Sequence, residues 1–235
     1  MASTSYLTQK QSEPLFQDIL WAKPEQKSQA GKLLILGGNS HAISAPSEAF
    51  AIAIKQGAGE VKAVMPDKTR TILGKVPPDI ELVPSTPSGS FSTKAEQDIK
   101  QYISWADATI FAGDFGRNSE TAILLEILAS KMPGIQVHTR DSADYFNNTP
   151  KTLFERENTL LVISIAQLQK YCMHLNWHKA VSFDMGLEQL CDLLSELTVK
   201  YKAHIVVQYF TNIIVAVNGR IVITHLEKEP KVWRL

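Results

Sequence analysis

The sequence predicts an α/β fold: a three-layer sandwich with a mostly parallel sheet, helices on both faces and a C-terminal antiparallel β-hairpin. Three observations carry this expectation. From Gly31 onward, short apolar strand-like runs alternate with amphipathic helix-like stretches, as parallel strands joined by crossover helices require. Two of those runs end in glycine-rich turns that lead into helical patterns, Gly37-Gly38 and Gly113-Asp-Phe-Gly116. Near the C-terminus, Asn218-Gly219 stands between two β-branched runs, and both residues tolerate the positive φ of a tight hairpin turn.

Taken in order, residues 1–30 read as an N-terminal extension with a short helix, and 31–235 as a single domain. Lys32–Leu36 is the first strand. A helix follows, with Pro46 suited to its first turn and Ala49, Ile52, Ala53 and Gln56 at helical spacing. Glu60–Met65 is the next strand, and Pro66-Asp67 ends it and opens another helical stretch. Pro77-Pro78 and the run 84–90 break the rhythm and read as surface loops. Helix Lys94–Trp105 leads to strand Thr109–Ala112 and helix Glu120–Lys131; strands Ile135–Thr139 and Thr159–Ile163 follow, each with a helix after it. Ser164 and Gln167 have the spacing of a capping box. After helix Gly186–Lys202 come strands His204–Val207, Ile213–Val217 and Ile221–Thr224, the last two forming an edge hairpin.

Bulk properties narrow the function classes. Lys plus Arg equals Asp plus Glu at 24 each, so no global field recruits nucleic acid or an acidic membrane. No apolar run is long enough to span a bilayer, and the N-terminus has no signal-like apolar core, so a cytoplasmic protein is expected. Cys172 and Cys191 fall in helical patterns and read as buried thiols.

The candidate ligand-binding residues lie in the two glycine-rich turns. Gly37, Gly38, Asn39 and Ser40 follow a strand, with Ala45 and Pro46 opening the next helix; glycines let backbone amides approach a ligand, and a helix N-terminus favours anions. The alternative is a plain tight turn, because neither a dinucleotide fingerprint nor a P-loop is present. Gly113, Asp114, Gly116 and Asn118 repeat the arrangement, and in a doubly wound sheet both turns would flank one crevice. There Asp114 would hold a hydroxyl or a hydrated cation; alternatively, Asp114 and Asn118 cap the helix that starts near Ser119. His174 and His178 share a helix face without a third ligand, so no metal site is expected.

The order of these pieces resembles the ADP/ATP-dependent NAD(P)H-hydrate dehydratases of the ribokinase-like superfamily. The resemblance rests on Gly31-Lys-Leu-Leu-Ile-Leu-Gly-Gly-Asn39, Ala45-Pro46, Gly57-Ala-Gly59-Glu60-Val61, Met65-Pro66 and Ala106-Asp107-Ala108 through Gly116. It implies a ribokinase-like fold, ADP or ATP with Mg²⁺ as cofactor, NAD(P)H-hydrate as substrate, and a homo-oligomer.

The departures are specific. The family's Asp-Ala-Asp-Ala-Leu reads here Thr139-Arg-Asp141-Ser-Ala143, and its Thr-Pro-His-Pro-Gly-Glu falls on Val162–Gln167 without the His or Glu. Its Leu-Lys-Gly turn falls near Val207-Gln208-Tyr209. Its Gly-Gly-Ser-Gly-Asp, which the resemblance makes an anion hole and a base, is due after Thr224, where no glycine follows. Asp114, Asp141 and Glu227 are the substitute bases available. The expectation is therefore a nucleotide or dinucleotide binder that has lost catalysis. The alternatives are an active dehydratase with a differently completed site, and an oligomeric scaffold pairing through the exposed hairpin edge.

Overall fold

The computed structural model describes residues 6–10 and 15–228, and the chain divides into two compact units, residues 24–145 and the remaining described residues. In chain order the strands are β1 (Tyr6–Gln9), β2 (Lys32–Gly37), β3 (Glu60–Pro66), β4 (Ile80–Val83), β5 (Ala108–Gly113), β6 (Ile135–Thr139), β7 (Thr159–Ile163), β8 (His204–Tyr209), β9 (Asn212–Val217) and β10 (Arg220–His225). The helices are α1 (Asp18–Trp21), α2 (Ser44–Lys55), α3 (Arg70–Leu73), α4 (Glu96–Trp105), α5 (Ser119–Lys131), α6 (Asp141–Asp144), α7 (Lys151–Phe154), α8 (Ile165–His174) and α9 (Leu187–Lys200).

Within residues 24–145 the strand order is β6-β5-β2-β3-β4, with each pairing parallel. Leu34, Ile35 and Leu36 are all buried, as an unbroken apolar run in a central parallel strand must be. The chain runs outward from β2 through β3 to β4, then returns to lay β5 and β6 on the other side of β2. The reversal point thus lies between β2 and β5, and at the carboxyl end of this pair the register shifts at Leu36/Gly37, setting Gly37 opposite Gly113.

Helix α2 covers this region with small side chains. Ala45, Pro46 and Ala53 are buried, while Ile52 is 57% exposed, so the apolar stripe does not include Ile52 as its spacing suggested. At about 100° per residue, the stripe defined by 45, 46, 49 and 53 leaves position 52 at its margin. The segment 84–90, expected to be a surface loop, is only partly one: Thr86, Gly89 and Ser90 are buried. Strand β4, just before it, carried no periodic signal.

In the other unit the order is β1-β10-β9-β8-β7. Strands β7 and β8 are parallel, whereas β8, β9 and β10 form an antiparallel meander. Asn218 and Gly219 adopt φ of 47° and 79°, as a type I′ turn requires, and Phe210 at 50° makes the second tight turn. The expected open edge is covered: β1 pairs in parallel with β10, Tyr6 facing Ile221 and Gln9 facing Thr224. The Tyr6 hydroxyl also donates to Asp192 on α9 at 2.7 Å. The hairpin edge that the scaffold expectation invoked is thus paired with the N-terminal strand.

Ser164 and Gln167 form the predicted capping box at the start of α8. Cys172 and Cys191 are buried free thiols, and burial pushes them up to about 12 and about 11. No helix among the described residues is long and apolar enough to cross a membrane. Of the stretch after Thr224, where the resemblance placed the missing anion hole, residues 229–235 lie outside the described residues.

Candidate functional site

The two glycine-rich turns meet at the carboxyl ends of β2 and β5. The Gly38 N–H donates to the Gly113 carbonyl at 3.0 Å, and the Asn39 side chain donates to the Asp114 carbonyl at 2.6 Å. Glycine is required at Gly37 by this proximity, since a Cβ there would stand 2.5 Å from the Gly113 carbonyl oxygen. Gly113 itself has φ of 117°, and its added Cβ would meet Asp141 Oδ1 at 2.8 Å. The rim residues Gly37, Gly38, Asn39, Ser40, Ala45, Pro46, Gly113, Asp114, Gly116 and Asn118 thus surround one junction.

The amides of the first turn are not open. Besides Gly38, Asn39 donates to the Ala42 carbonyl at 2.8 Å, Ser40 to the Gly89 carbonyl at 3.0 Å, and His41 to its neighbour Asn39 Oδ1 at 2.8 Å. The glycines here serve the close approach of two turns. The loop 84–90 is fastened to the rim: Ser40 Oγ donates to the Ser88 carbonyl at 3.1 Å, Asn118 Nδ2 to Ser88 Oγ at 2.9 Å, and Lys68 Nζ to the Pro87 carbonyl at 2.6 Å.

Asn118 caps α5 with its side-chain oxygen, accepting from Glu120 N at 2.9 Å and Thr121 N at 3.2 Å. Asp114 caps a different helix from the one its sequence position suggested. Its Oδ2 accepts from the Ala45 N–H at 2.7 Å and the Ser44 hydroxyl at 3.1 Å, at the start of α2. The left-handed backbone at Asp114, φ 58°, turns the carboxylate away from α5.

Asp141 opens α6, and its Oδ2 accepts from the Phe115 N–H at 2.9 Å. Its Oδ1 is buried without a hydrogen-bonding partner. Burial, helped by the charge on Asp114, pushes this carboxyl above the ordinary range, against the opposing pull of the Phe115 amide. The folded chain therefore holds the proton more tightly than the unfolded chain. The stabilising contribution is present below the unfolded carboxylate range, about pH 4, and is lost as pH rises through the folded value. Asp141→Asn cannot ionise and is expected to flatten this loss of stability. Urea unfolding from pH 4 to 8 checks it; parallel curves for the two proteins would refute the assignment.

Sequence reasoning missed Tyr145, whose hydroxyl donates to the Gly116 carbonyl and accepts from the Asn118 N–H at 3.3 Å. It also missed the Arg140–Glu48 ion pair at 2.9 Å beside the junction. Neither carries a local sequence signal. His138 on β6 is buried and stacks on Phe111 with centroids 4.3 Å apart. Glu227 is exposed. Among the described residues, no group of three or more His, Cys, Asp or Glu side chains is gathered to hold a metal ion.

No family model matches the sequence, and no curated protein matches it. Solved structures do. A ribokinase-like superfamily protein from Enterococcus faecalis V583 has a TM-score of 0.70 at 14% identity, covering 93% of this chain and 71% of that one. A Streptococcus mutans protein has 0.60 at 11% identity, covering 86% and 68%. The ADP/ATP-dependent NAD(P)H-hydrate dehydratase of Bacillus subtilis, crystallised with ATP and Mg²⁺ and soaked with CoA, has 0.52 at 12% identity, covering 88% and 70%. At these identities the likeness is one of fold, and the fold is ribokinase-like.

Proposed function

We infer that the chain binds a nucleotide or dinucleotide at the rim formed by Gly37–Ser40 and Gly113–Asn118, as a relative of the NAD(P)H-hydrate dehydratases that does not turn the ligand over. One observation carries the binding half. The two turns lie where the strand order reverses, between β2 and β5, and ligands of open α/β sheets sit outside the strands' carboxyl ends at such a point. The fold neighbour crystallised with ATP and Mg²⁺ supports the ligand class.

The non-catalytic half rests on Asp141 and on the segment that opens α8. A general base must be free to take a proton from its substrate. Asp141 is half-buried, its Oδ2 on the Phe115 amide and its Oδ1 buried. In Val162–Gln167, Ser164 and Gln167 cap α8 where the family has its His and Glu.

Calorimetry with ADP, ATP, NAD and hydrated NADH, with and without Mg²⁺, tests the binding. Saturable heat with at least one ligand is expected, together with a loss of at least about tenfold in affinity for Asn39→Ala. No heat with any of them would overturn the reading. Hydrated NADH supplied with ATP or ADP should remain unrepaired, and measurable turnover would show an active dehydratase instead.

A further inference from the structure

We propose that Asp114 sets the charge specificity of this rim, so that the ligand presents an uncharged, hydroxyl- or amide-bearing face there and not a phosphate. The proposal rests on the binding reading above and names the part of the ligand that the rim takes.

A twelve-residue helix entered from a glycine-rich turn ordinarily offers free N–H groups and a positive dipole end to an anion. In this chain the position is filled from within. The Asp114 carboxylate receives the Ala45 N–H at 2.7 Å and the Ser44 hydroxyl at 3.1 Å, which sets a negative charge against the positive end of the helix dipole. The neighbouring donors have internal acceptors too. Gly38, Asn39 and Ser40 donate to the carbonyls of Gly113, Ala42 and Gly89, and Phe115 donates to the second carboxylate, Asp141.

An incoming phosphate would find these amides engaged and would stand against two carboxylates. The Arg140 guanidinium beside them is paired with Glu48 at 2.9 Å. What remains for a ligand at Asp114 is an acceptor, because Oδ1 receives no hydrogen bond from the described residues. It suits a ribose hydroxyl or a carboxamide N–H. The arrangement is held in place: Asn39 Nδ2 donates to the Asp114 carbonyl at 2.6 Å and fixes a backbone with φ of 58°, which Asp and Asn adopt more readily than other residues with side chains.

The test uses the ¹⁵N-labelled chain, inorganic pyrophosphate and adenosine as probes, and two variants. Asp114→Gly suits the left-handed backbone and vacates the helix end; Asp114→Asn keeps the cap and removes the charge. Pyrophosphate should bind Asp114→Gly at least about tenfold more tightly than wild type and shift the Ala45 amide resonance, while adenosine weakens by a similar factor. Asp114→Asn should fall between, and it decides the question alone should the glycine variant not fold. Pyrophosphate affinities within about twofold of wild type in the variants, or a gain that leaves the Ala45 amide unmoved, would overturn the proposal. Wild type that binds no nucleotide and no adenosine would instead overturn the binding reading, and the pyrophosphate comparison would still decide the role of Asp114.

Discussion

Gly37→Ala is expected to destabilise the protein by about 2–4 kcal/mol and lower Tm by roughly 5–15 °C. The cause is steric, since Gly37 does not have a positive φ. The added methyl would stand 2.5 Å from the Gly113 carbonyl oxygen and 3.3 Å from Pro46 Cβ and Cδ. A flexible side chain could swing aside, but this oxygen belongs to the end of β5 and holds the Gly38 N–H at 3.0 Å. Moving it breaks the bond that joins the two turns. Gly57→Ala is the control: its Cβ would meet nothing within 4 Å, so only the strain of φ 87° remains, about 1 kcal/mol. Calorimetric unfolding of both variants checks the ordering. A smaller loss for Gly37→Ala than for Gly57→Ala would contradict the description of the junction.

Phe115→Ala should cost about 3–5 kcal/mol, the range for removing a fully buried aromatic ring. The ring is 1% exposed, with its centroid 5.5 Å from that of Phe91 and 6.4 Å from that of Tyr145, which it meets edge-on. Phe91 follows the loop 84–90, and Tyr145 bonds Gly116 and Asn118. Phe115 is therefore the apolar pin beneath both walls of the rim. Hydrogen exchange should accelerate across 84–92 and 113–118 in the variant, well beyond what stability loss produces in α4. Phe115→Leu, which keeps most of the volume, should recover more than half of the loss. Uniform acceleration over residues 24–145 would show that the ring stabilises the core without organising the rim.

Strands β2, β3 and β5–β10, both glycine-rich turns and the Asn218-Gly219 hairpin were legible because each has a local cause: apolar run length, backbone permissiveness or turn chemistry. The Asn118 cap was legible for the same reason, as its donors lie two and three residues away. Asp114 was legible as a polar residue of the crevice, but its partner was not. The bond to Ala45 spans 69 residues, and only the left-handed backbone directs the carboxylate there. The loop 84–90 looked like solvent-facing chain because Ser, Pro and Gly make turns wherever they occur. Its fastening to the rim comes from Ser40, Asn118 and Lys68, three residues distant in sequence. Strands β1 and β4 are four residues each, too short to show a period, and exist through their neighbours.

The pairing of β1 with β10 also bears on how the chain matures. Residues 6–9 are made long before their partners, Ile221 to Thr224. Until those are made the segment waits without its mate, and seating it closes a long loop of the intervening chain, a slow step by chain entropy. Late docking of β1, with Tyr6 reaching Asp192, would then be the event that seals this part of the molecule.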